Sequence, residues 1–211
     1  MGIEYVIGIP GGGVGRIFSA LYGHPTISAV LVREESLASY MAEAYGRLRG
    51  RPAVVMGQGE WIVGNAGQGY LESLLGSSPM VVLTDLTDGG IFSHHGFYQS
   101  GSGDYGAWDA RKALEGVTKR VMVSRYPAQA VQHVQLAVKH AMTGEPGPVA
   151  VAFSTPRCGE WSTLPPRRVS TARGATCMQR PARPMSTSWR ASPRSSRQPR
   201  ARSWSRATES E

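Results

Sequence analysis

The sequence predicts an α/β fold, a six-stranded parallel sheet with helices on both faces, followed by a disordered tail. Three observations predict it. Over about the first 155 residues, short β-branched apolar runs alternate with segments of helical period. These runs are apolar throughout instead of alternating with polar residues, which is typical of parallel strands buried on both faces. Beyond residue 155 the composition changes abruptly to Arg, Ser and Pro.

The strands are predicted from continuous apolar runs that are bounded by Gly, Pro or charged residues. Six such runs occur, at residues 4–9, 27–32, 52–56, 79–84, 117–123 and 149–153. Because helical segments separate them, we expect right-handed crossovers that place all six strands parallel in one sheet. A domain of about 150 residues is large enough to bury a substantial core.

Two of the connecting segments have a clear helical period. Their apolar positions are Leu37, Met41, Ala44 and Leu48 in the first, and Val131, Val134, Val138 and Met142 in the second. Each set predicts a stripe that faces the sheet, with polar residues such as Glu43, Gln132 and Lys139 outside. Pro127 is predicted to open the second helix and Gly144 to close it.

The charge of the chain is uneven. The net charge is +8, but residues 1–155 hold 11 Lys and Arg against 12 Asp and Glu. The near-neutral domain gives little support to nucleic-acid binding. Both cysteines, Cys158 and Cys177, lie in the tail, so the domain has no thiol chemistry. No apolar run approaches about 20 residues, and no secretion signal begins the chain, so we expect no membrane contact and a cytoplasmic location.

The tail, residues 156–211, has a composition unlike that of a folded domain. Arg, Ser and Pro supply 29 of its 56 residues, and it has no Ile, Phe, Tyr, Lys, Asn or Asp. We expect it to be disordered. This bias is also typical of a GC-rich gene read out of frame, and a shifted reading of residues 183–209 can give a helix, a buried strand and a Gly turn. We therefore hypothesise a frameshift between about residues 155 and 183.

Five segments in order carry a family resemblance: GIPGGGVGRIFSALYG, AVLVREESLASYMAEAYGRLRGRPAVVMGQG, SSPMVVLTDLTDGG, GVTKRVMV and TGEPGPVAVAF. Residues 3–153 resemble the pyrimidine-binding (Pyr) domain of thiamine-diphosphate enzymes similar to acetolactate synthase. The resemblance implies a domain of residues 1–155 that lacks the family's usual first helix. It also implies thiamine diphosphate, with Mg²⁺ held through a Gly-Asp-Gly…Asn motif that residues 1–211 do not contain.

The resemblance implies a fragment of an enzyme that decarboxylates and joins small 2-keto acids, inactive alone and at best a weak binder of the cofactor. A second copy of the chain or a diphosphate-binding domain is the expected partner. The alternative is a non-catalytic interaction module that pairs with a separate diphosphate-binding subunit.

Glu35 is the catalytic residue that the resemblance implies. The family has a glutamate third in an Arg-His-Glu-like triplet, where it hydrogen-bonds the aminopyrimidine. Here the triplet is Arg33, Glu34 and Glu35, so Glu34 adds a second carboxylate that is expected to disfavour ionisation of Glu35. From the residues alone, Glu35 follows a strand at the edge where parallel sheets bind ligands. Alternatively, Glu34 and Glu35 merely complement a helix dipole.

Two further turns are candidate cofactor contacts. Pro10, Gly11 and Gly12 follow the first strand, where missing Cβ atoms let backbone approach a flat ring. A dinucleotide fingerprint is the competing interpretation, but Arg16 stands where its third Gly belongs. The family also has a Ser/Thr-Gly-Pro-Gly loop after the third strand; here it reads Gly57, Gln58, Gly59 and Glu60, so the Pro is lost. Gln58 is the remaining cofactor contact that the resemblance implies.

The Gly- and His-rich segment 85–106 is longer than a simple connection, and such loops are usually functional. Tyr98 and Gln99 match an aromatic-Gln pair that lines the substrate side in the family, although they are equally well explained as solvated loop residues. His94 and His95 are adjacent, and a strand would point them to opposite faces, so no metal site is expected.

Overall fold

The computed structural model describes residues 2–86, 101–103 and 108–154. This part of the chain forms a six-stranded sheet in which every pair of neighbouring strands is parallel. The strands are β1 (Tyr5–Gly8), β2 (Ser28–Leu31), β3 (Ala53–Gly57), β4 (Met80–Asp85), β5 (Arg120–Ser124) and β6 (Pro148–Phe153). Each coincides with a predicted apolar run to within three residues at either end. The order across the sheet is β2-β1-β3-β4-β6-β5.

The helices alternate with the strands as expected for crossover connections. A 3₁₀ turn at Gly12–Val14 leads into the first α-helix. The α-helices are α1 (Gly15–Leu21), α2 (Glu35–Arg49), α3 (Gly59–Asn65), α4 (Gly67–Leu75), α5 (Ala110–Glu115) and α6 (Pro127–Met142).

Apolar cores lie on the two faces of the sheet. Side chains of β3 alternate between them, so that Val54 packs with α1 and α6 while Val55 packs with α2 to α5. Fully burying a Val side chain contributes about 1.5–3 kcal/mol, and the central strands β3, β4 and β6 bury every residue. The predicted fold class is therefore confirmed, with helices on both faces.

Strand β2 departs from the prediction of burial on both faces. It lies at one edge of the sheet, and Ser28, Ala29 and Leu31 are exposed, Leu31 to 67%. An edge strand lacks a neighbour on one side, so an apolar sequence does not by itself bury it.

The prediction for α2 was wrong about which face meets the core. Leu37 and Leu48 are 48% and 83% exposed, whereas Glu43, expected outside, is buried. The helix packs through small residues, chiefly Ala38 and Ala42. The reason is close approach, since a Cβ on Gly46 would lie 2.4 Å from the Pro79 carbonyl oxygen and a larger side chain on this face has no room.

Glu43 is compensated by specific partners in its buried position. Its Oε1 pairs with Arg47 Nη2 at 2.6 Å and accepts a hydrogen bond from Ser78 Oγ at 2.8 Å. A buried carboxylate is tolerated when it is paired in this way. Its removal would leave Arg47 without this acceptor and Ser78 Oγ with only the Gly76 carbonyl oxygen, at 3.5 Å.

Helix α6 begins and ends as predicted, at Pro127 and just before Gly144, whose φ is +69°. Lys119 closes this end, because its Nζ donates to the carbonyl oxygens of His140 (2.9 Å), Thr143 (3.1 Å) and Glu145. The predicted apolar stripe is only partly correct. Val134 and Val138 contact the core, but Val131 and Met142 are exposed.

The predicted disordered tail, and with it the proposed frameshift region, lies outside the described residues. None of the helices in residues 2–86 and 108–154 combines the length and the apolar character needed to cross a membrane.

Candidate functional site

The strand order places a topological switch between β1 and β3. The chain leaves β1 for β2 on one side, then passes through α2 to β3 on the other side of β1. Connections that diverge in this way leave a crevice outside the carboxyl ends of the strands, where open parallel sheets bind ligands. The loops that follow β1, β2 and β3 all reach this edge.

Asp85 ties two of those loops together. It is the last residue of β4 and only 1% exposed. Its Oδ2 accepts a hydrogen bond from the Gly13 N–H at 2.9 Å, and its Oδ1 accepts one from the Gly59 N–H at 2.9 Å. One carboxyl group thus fixes the turn after β1 against the turn after β3. Sequence reasoning missed this residue, although a charged residue at the end of the apolar run MVVLTD was a usable signal.

The glycines after β1 lie in close contact with neighbouring side chains. A Cβ on Gly11 would lie 2.8 Å from Gln58 Oε1, and one on Gly12 would lie 2.8 Å from Asp85 Oδ2. Gly12 also has a φ of +48°, a backbone conformation that favours glycine. The structure therefore brings together three of the predicted contacts, Gly11, Gly12 and Gln58, while the neighbouring Pro10 is exposed.

Three polar side-chain atoms at this edge are buried without a hydrogen-bond partner among the described residues. They are Gln58 Nε2 and the two carboxylate oxygens of Glu60. Buried polar atoms are nearly always paired, so an orphaned donor and an orphaned carboxylate mark a place where a bound molecule can supply the missing partners.

Glu35 is the first residue of α2 and half-buried. Its Oε2 accepts a hydrogen bond from Asn65 Nδ2, at the end of α3, at 2.9 Å. Burial, and after it the nearby Glu35 carboxylate, raise the pKa of the Tyr70 hydroxyl well above its ordinary value. That hydroxyl donates to the carbonyl oxygen of Ile62 at 2.8 Å. The Glu35 carboxylate thus lies beside α3 and α4, at the carboxyl edge of the sheet.

Glu34 is separated from this arrangement. It is the N-cap residue of α2, has extended backbone angles, is exposed and makes no side-chain capping hydrogen bond. Asn65, which engages Glu35, was not predicted, because nothing in the sequence links two residues 30 positions apart.

The remaining predicted residues, Tyr98, Gln99, His94 and His95, lie outside the described part of the chain. Within residues 2–86, 101–103 and 108–154, no group of three His, Cys, Asp or Glu side chains is placed to hold a metal ion.

A parallel sheet with helices on both faces, and with a carboxylate and glycine turns at its carboxyl edge, defines a domain of the open α/β class. Residues 1–104 match the family described as thiamine pyrophosphate enzyme, N-terminal TPP binding domain. The chain belongs to this family through that domain, in the form found in acetolactate synthase-like enzymes.

Curated relatives of the chain include acetolactate synthases. The large subunit from Corynebacterium glutamicum is 30% identical over 148 residues, which are 70% of this chain and 22% of the relative. The large subunit from Haemophilus influenzae is 28% identical over 154 residues, 71% of this chain and 25% of the relative. The acetolactate synthase isozyme 1 large subunit from Escherichia coli is 28% identical over 148 residues, which are 70% of this chain and 25% of the relative. The chain thus spans about a quarter of the length of these relatives.

Proposed function

We propose that this domain binds the aminopyrimidine ring of thiamine diphosphate at the carboxyl edge of its sheet. The domain would serve an acetolactate synthase-like enzyme that decarboxylates and joins 2-keto acids such as pyruvate. One observation carries the proposal: Glu35, which lies within the matched family region, has its carboxylate at this edge and is held there by Asn65.

We assign Glu35 the role of acid and base. Its carboxyl group exchanges a proton with a pyrimidine ring nitrogen, and the Asn65 amide holds one carboxyl oxygen so that the group keeps its orientation. When bound, thiamine diphosphate supplies the carbon that attacks the keto acid. Pro10, Gly11 and Gly12 let the backbone approach the ring, and the orphaned Gln58 amide donates to it.

The diphosphate and Mg²⁺ are assigned to a diphosphate-binding domain outside residues 1–211. Mg²⁺ is usually held by one or two carboxylates together with phosphate oxygens, and such a domain would provide most of the cofactor affinity. Tyr98 and Gln99 are proposed to line the substrate side. We expect the chain alone to bind the cofactor weakly and to consume no pyruvate.

The exposed face of α2 supports a partner at this site. Leu37, Met41 and Leu48 form an apolar stripe on the same helix that begins with Glu35, and Leu31 of the edge strand is exposed as well. Exposed apolar patches of this kind mark interaction surfaces. This stripe favours pairing with a second copy of the chain or with a diphosphate-binding domain. It equally supports the second candidate, an interaction module for a separate diphosphate-binding subunit.

The reading frame of the gene distinguishes these two candidates. We propose that residues beyond about 155–183 are an out-of-frame translation, because their composition excludes residues with A- or T-rich codons. A Gly-Asp-Gly…Asn motif that continues from the shifted frame identifies a broken enzyme. The same motif in a separate downstream gene identifies the module, and an intact frame through codon 183 contradicts the frameshift.

The direct test compares substitutions of two adjacent glutamates. Glu35→Gln and the matched control Glu34→Gln are each combined with a diphosphate-binding partner domain from the same gene cluster, with Mg²⁺, thiamine diphosphate and pyruvate. Loss of a general acid or base lowers turnover by about 10²- to 10⁴-fold, which is expected for Glu35→Gln only. Equal activities of the two variants would contradict the role of Glu35, and pyruvate consumption by the unpaired chain would contradict the proposal that it is inactive alone.

A further inference from the structure

The orphaned polar atoms are concentrated in one place. Among the residues that the structure describes, the buried side-chain nitrogen and oxygen atoms without a partner are Gln58 Nε2, Glu60 Oε1 and Glu60 Oε2. All three belong to two residues separated by Gly59 alone. Leaving a buried polar atom unpaired costs about 1–3 kcal/mol, and more for a charged group, so this segment is expected to have a binding partner beyond the residues that the structure describes.

The position of the segment is fixed at the crevice. The Gly59 N–H, between the two side chains, donates to Asp85 Oδ1 at 2.9 Å, and Asp85 also holds Gly13. Gln58 packs against Gly12, whose added Cβ would lie 3.0 Å from Gln58 Cγ. Because internal contacts hold both sides of the switch point, Gln58 and Glu60 are presented on a preorganised support.

The two orphaned groups have complementary chemistry. A carboxylate accepts hydrogen bonds only, so the group that pairs with Glu60 must bring N–H or O–H donors, while the Gln58 amide nitrogen needs an acceptor. A 2-keto acid is an anion without N–H groups and would be repelled by Glu60. A heterocycle that carries an amino group next to a ring nitrogen offers both a donor and an acceptor.

We propose that Glu60 and Gln58 are a recognition pair for the amino-substituted face of the bound pyrimidine, distinct from Glu35. Glu60 accepts from the exocyclic amino group, and Gln58 donates to an acceptor on the same ring. This inference rests on the proposed function, and it assigns to Glu60 a ligand-selecting role that the acid-base role of Glu35 does not include.

The test uses the full chain and two ring probes that lack the diphosphate, thiamine and oxythiamine, in which a carbonyl oxygen replaces the pyrimidine amino group. Both are titrated to millimolar concentration, followed by shifts of backbone amide resonances. We expect the wild type to prefer thiamine by about tenfold, the equivalent of one hydrogen bond to a charged group. Glu60→Gln can donate to the carbonyl and should erase or reverse that preference, whereas the exposed control Glu72→Gln should keep it.

A second measurement separates ligand recognition from a structural role. If Glu60 and Gln58 have no internal partner, Glu60→Gln and the similarly sized Gln58→Met should leave the urea midpoint of the ligand-free chain unchanged or raise it. A lowered midpoint would reveal an internal partner and overturn the inference.

The titration also distinguishes this inference from the proposed function. Binding of thiamine and oxythiamine with equal affinity, unaltered by Glu60→Gln, overturns the recognition pair and leaves ring binding established. Failure of the wild type to bind either ring at millimolar concentration overturns both.

Discussion

Asp85→Asn is the substitution that most directly tests how the crevice is built. In the wild type each carboxyl oxygen accepts from a different backbone N–H, that of Gly13 or that of Gly59, both at 2.9 Å. Asparagine has nearly the same shape but only one acceptor oxygen. Its amide nitrogen must therefore face one of the two N–H groups, which leaves two donors opposed in a buried place.

The expected loss follows from these contacts. One hydrogen bond to a charged group contributes about 1.5–3 kcal/mol, and the donor that loses its acceptor remains buried, so we expect a loss of about 2–4 kcal/mol. With a urea m-value of about 2 kcal/mol/M, the unfolding midpoint should fall by about 1–2 M. Circular dichroism in urea measures this, and hydrogen exchange should become faster at the amides of Gly13 and Gly59.

Asp109 provides the matched control. Its side chain accepts from the Lys112 N–H at 3.1 Å as the N-cap of α5, a position where Asn caps as well as Asp. Asp109→Asn should therefore change the free energy of unfolding by less than about 0.5 kcal/mol. If Asp85→Asn is equally neutral, the two glycine turns are not held by this carboxyl group, and the account of the crevice is wrong.

Three further outcomes are expected. Gly69→Ala should destabilise by about 1–3 kcal/mol in urea unfolding, since the new Cβ would lie 2.4 Å from Ser39 Cβ and 2.8 Å from the Ser39 backbone carbonyl carbon; Ser39→Gly should recover only part of the loss, because the backbone contact remains. Burial, with nearby cations such as Arg120, lowers the pKa of His140, so the unfolded state binds more protons than the folded state. The free energy of unfolding should therefore be full above about pH 6.5 and should decrease as the pH drops below that value. In His140→Gln this decrease should be smaller. Leu48→Lys should change the free energy of unfolding in urea by less than about 0.5 kcal/mol, because the side chain is 83% exposed. A large loss of stability would show instead that Leu48 packs against the core, as the sequence predicted.

The sheet was predictable because its signals are local. The runs that became β3 and β4 are apolar, β-branched and bounded by Gly or Pro, and both strands are fully buried. Whether a strand lies at the edge of the sheet does not depend on its own residues alone. The run that became β2 has the same character, and only the strand order, which no single segment encodes, leaves Leu31 in solvent.

Helix α2 shows why periodicity alone misjudged a face. The largest apolar residues were assigned to the core, but close packing selects small ones when another helix lies near. At the α2–α4 contact, Gly69 leaves so little space that an added Cβ would meet Ser39 Oγ at 2.2 Å. A helix face of small residues allows a neighbouring helix to approach closely. The large residues Leu37 and Leu48 then lie on the opposite, exposed face of α2.

Neighbouring residues of the candidate site were predictable only where the resemblance supplied motifs. Gly11, Gly12 and Gln58 do meet at the crevice. Asp85 and Asn65 were missed because their hydrogen bonds span 72 and 30 positions along the chain. Such contacts arise from the order in which strands and helices are assembled, and spacing within a motif carries no information about them.

The exposed face of α2 bears on how the half-buried Glu35 carboxylate could serve as a proton carrier. Glu35 begins α2, and the outer face of that helix carries the exposed residues Leu37 and Met41 within two turns of it. A partner that covers this stripe would also remove water from the surroundings of Glu35, which strengthens its interaction with a bound ring. Met41→Glu should therefore weaken the effect of the partner on turnover while leaving the fold of the chain intact. A stably folded variant whose turnover still depends on the partner as in the wild type would refute this coupling.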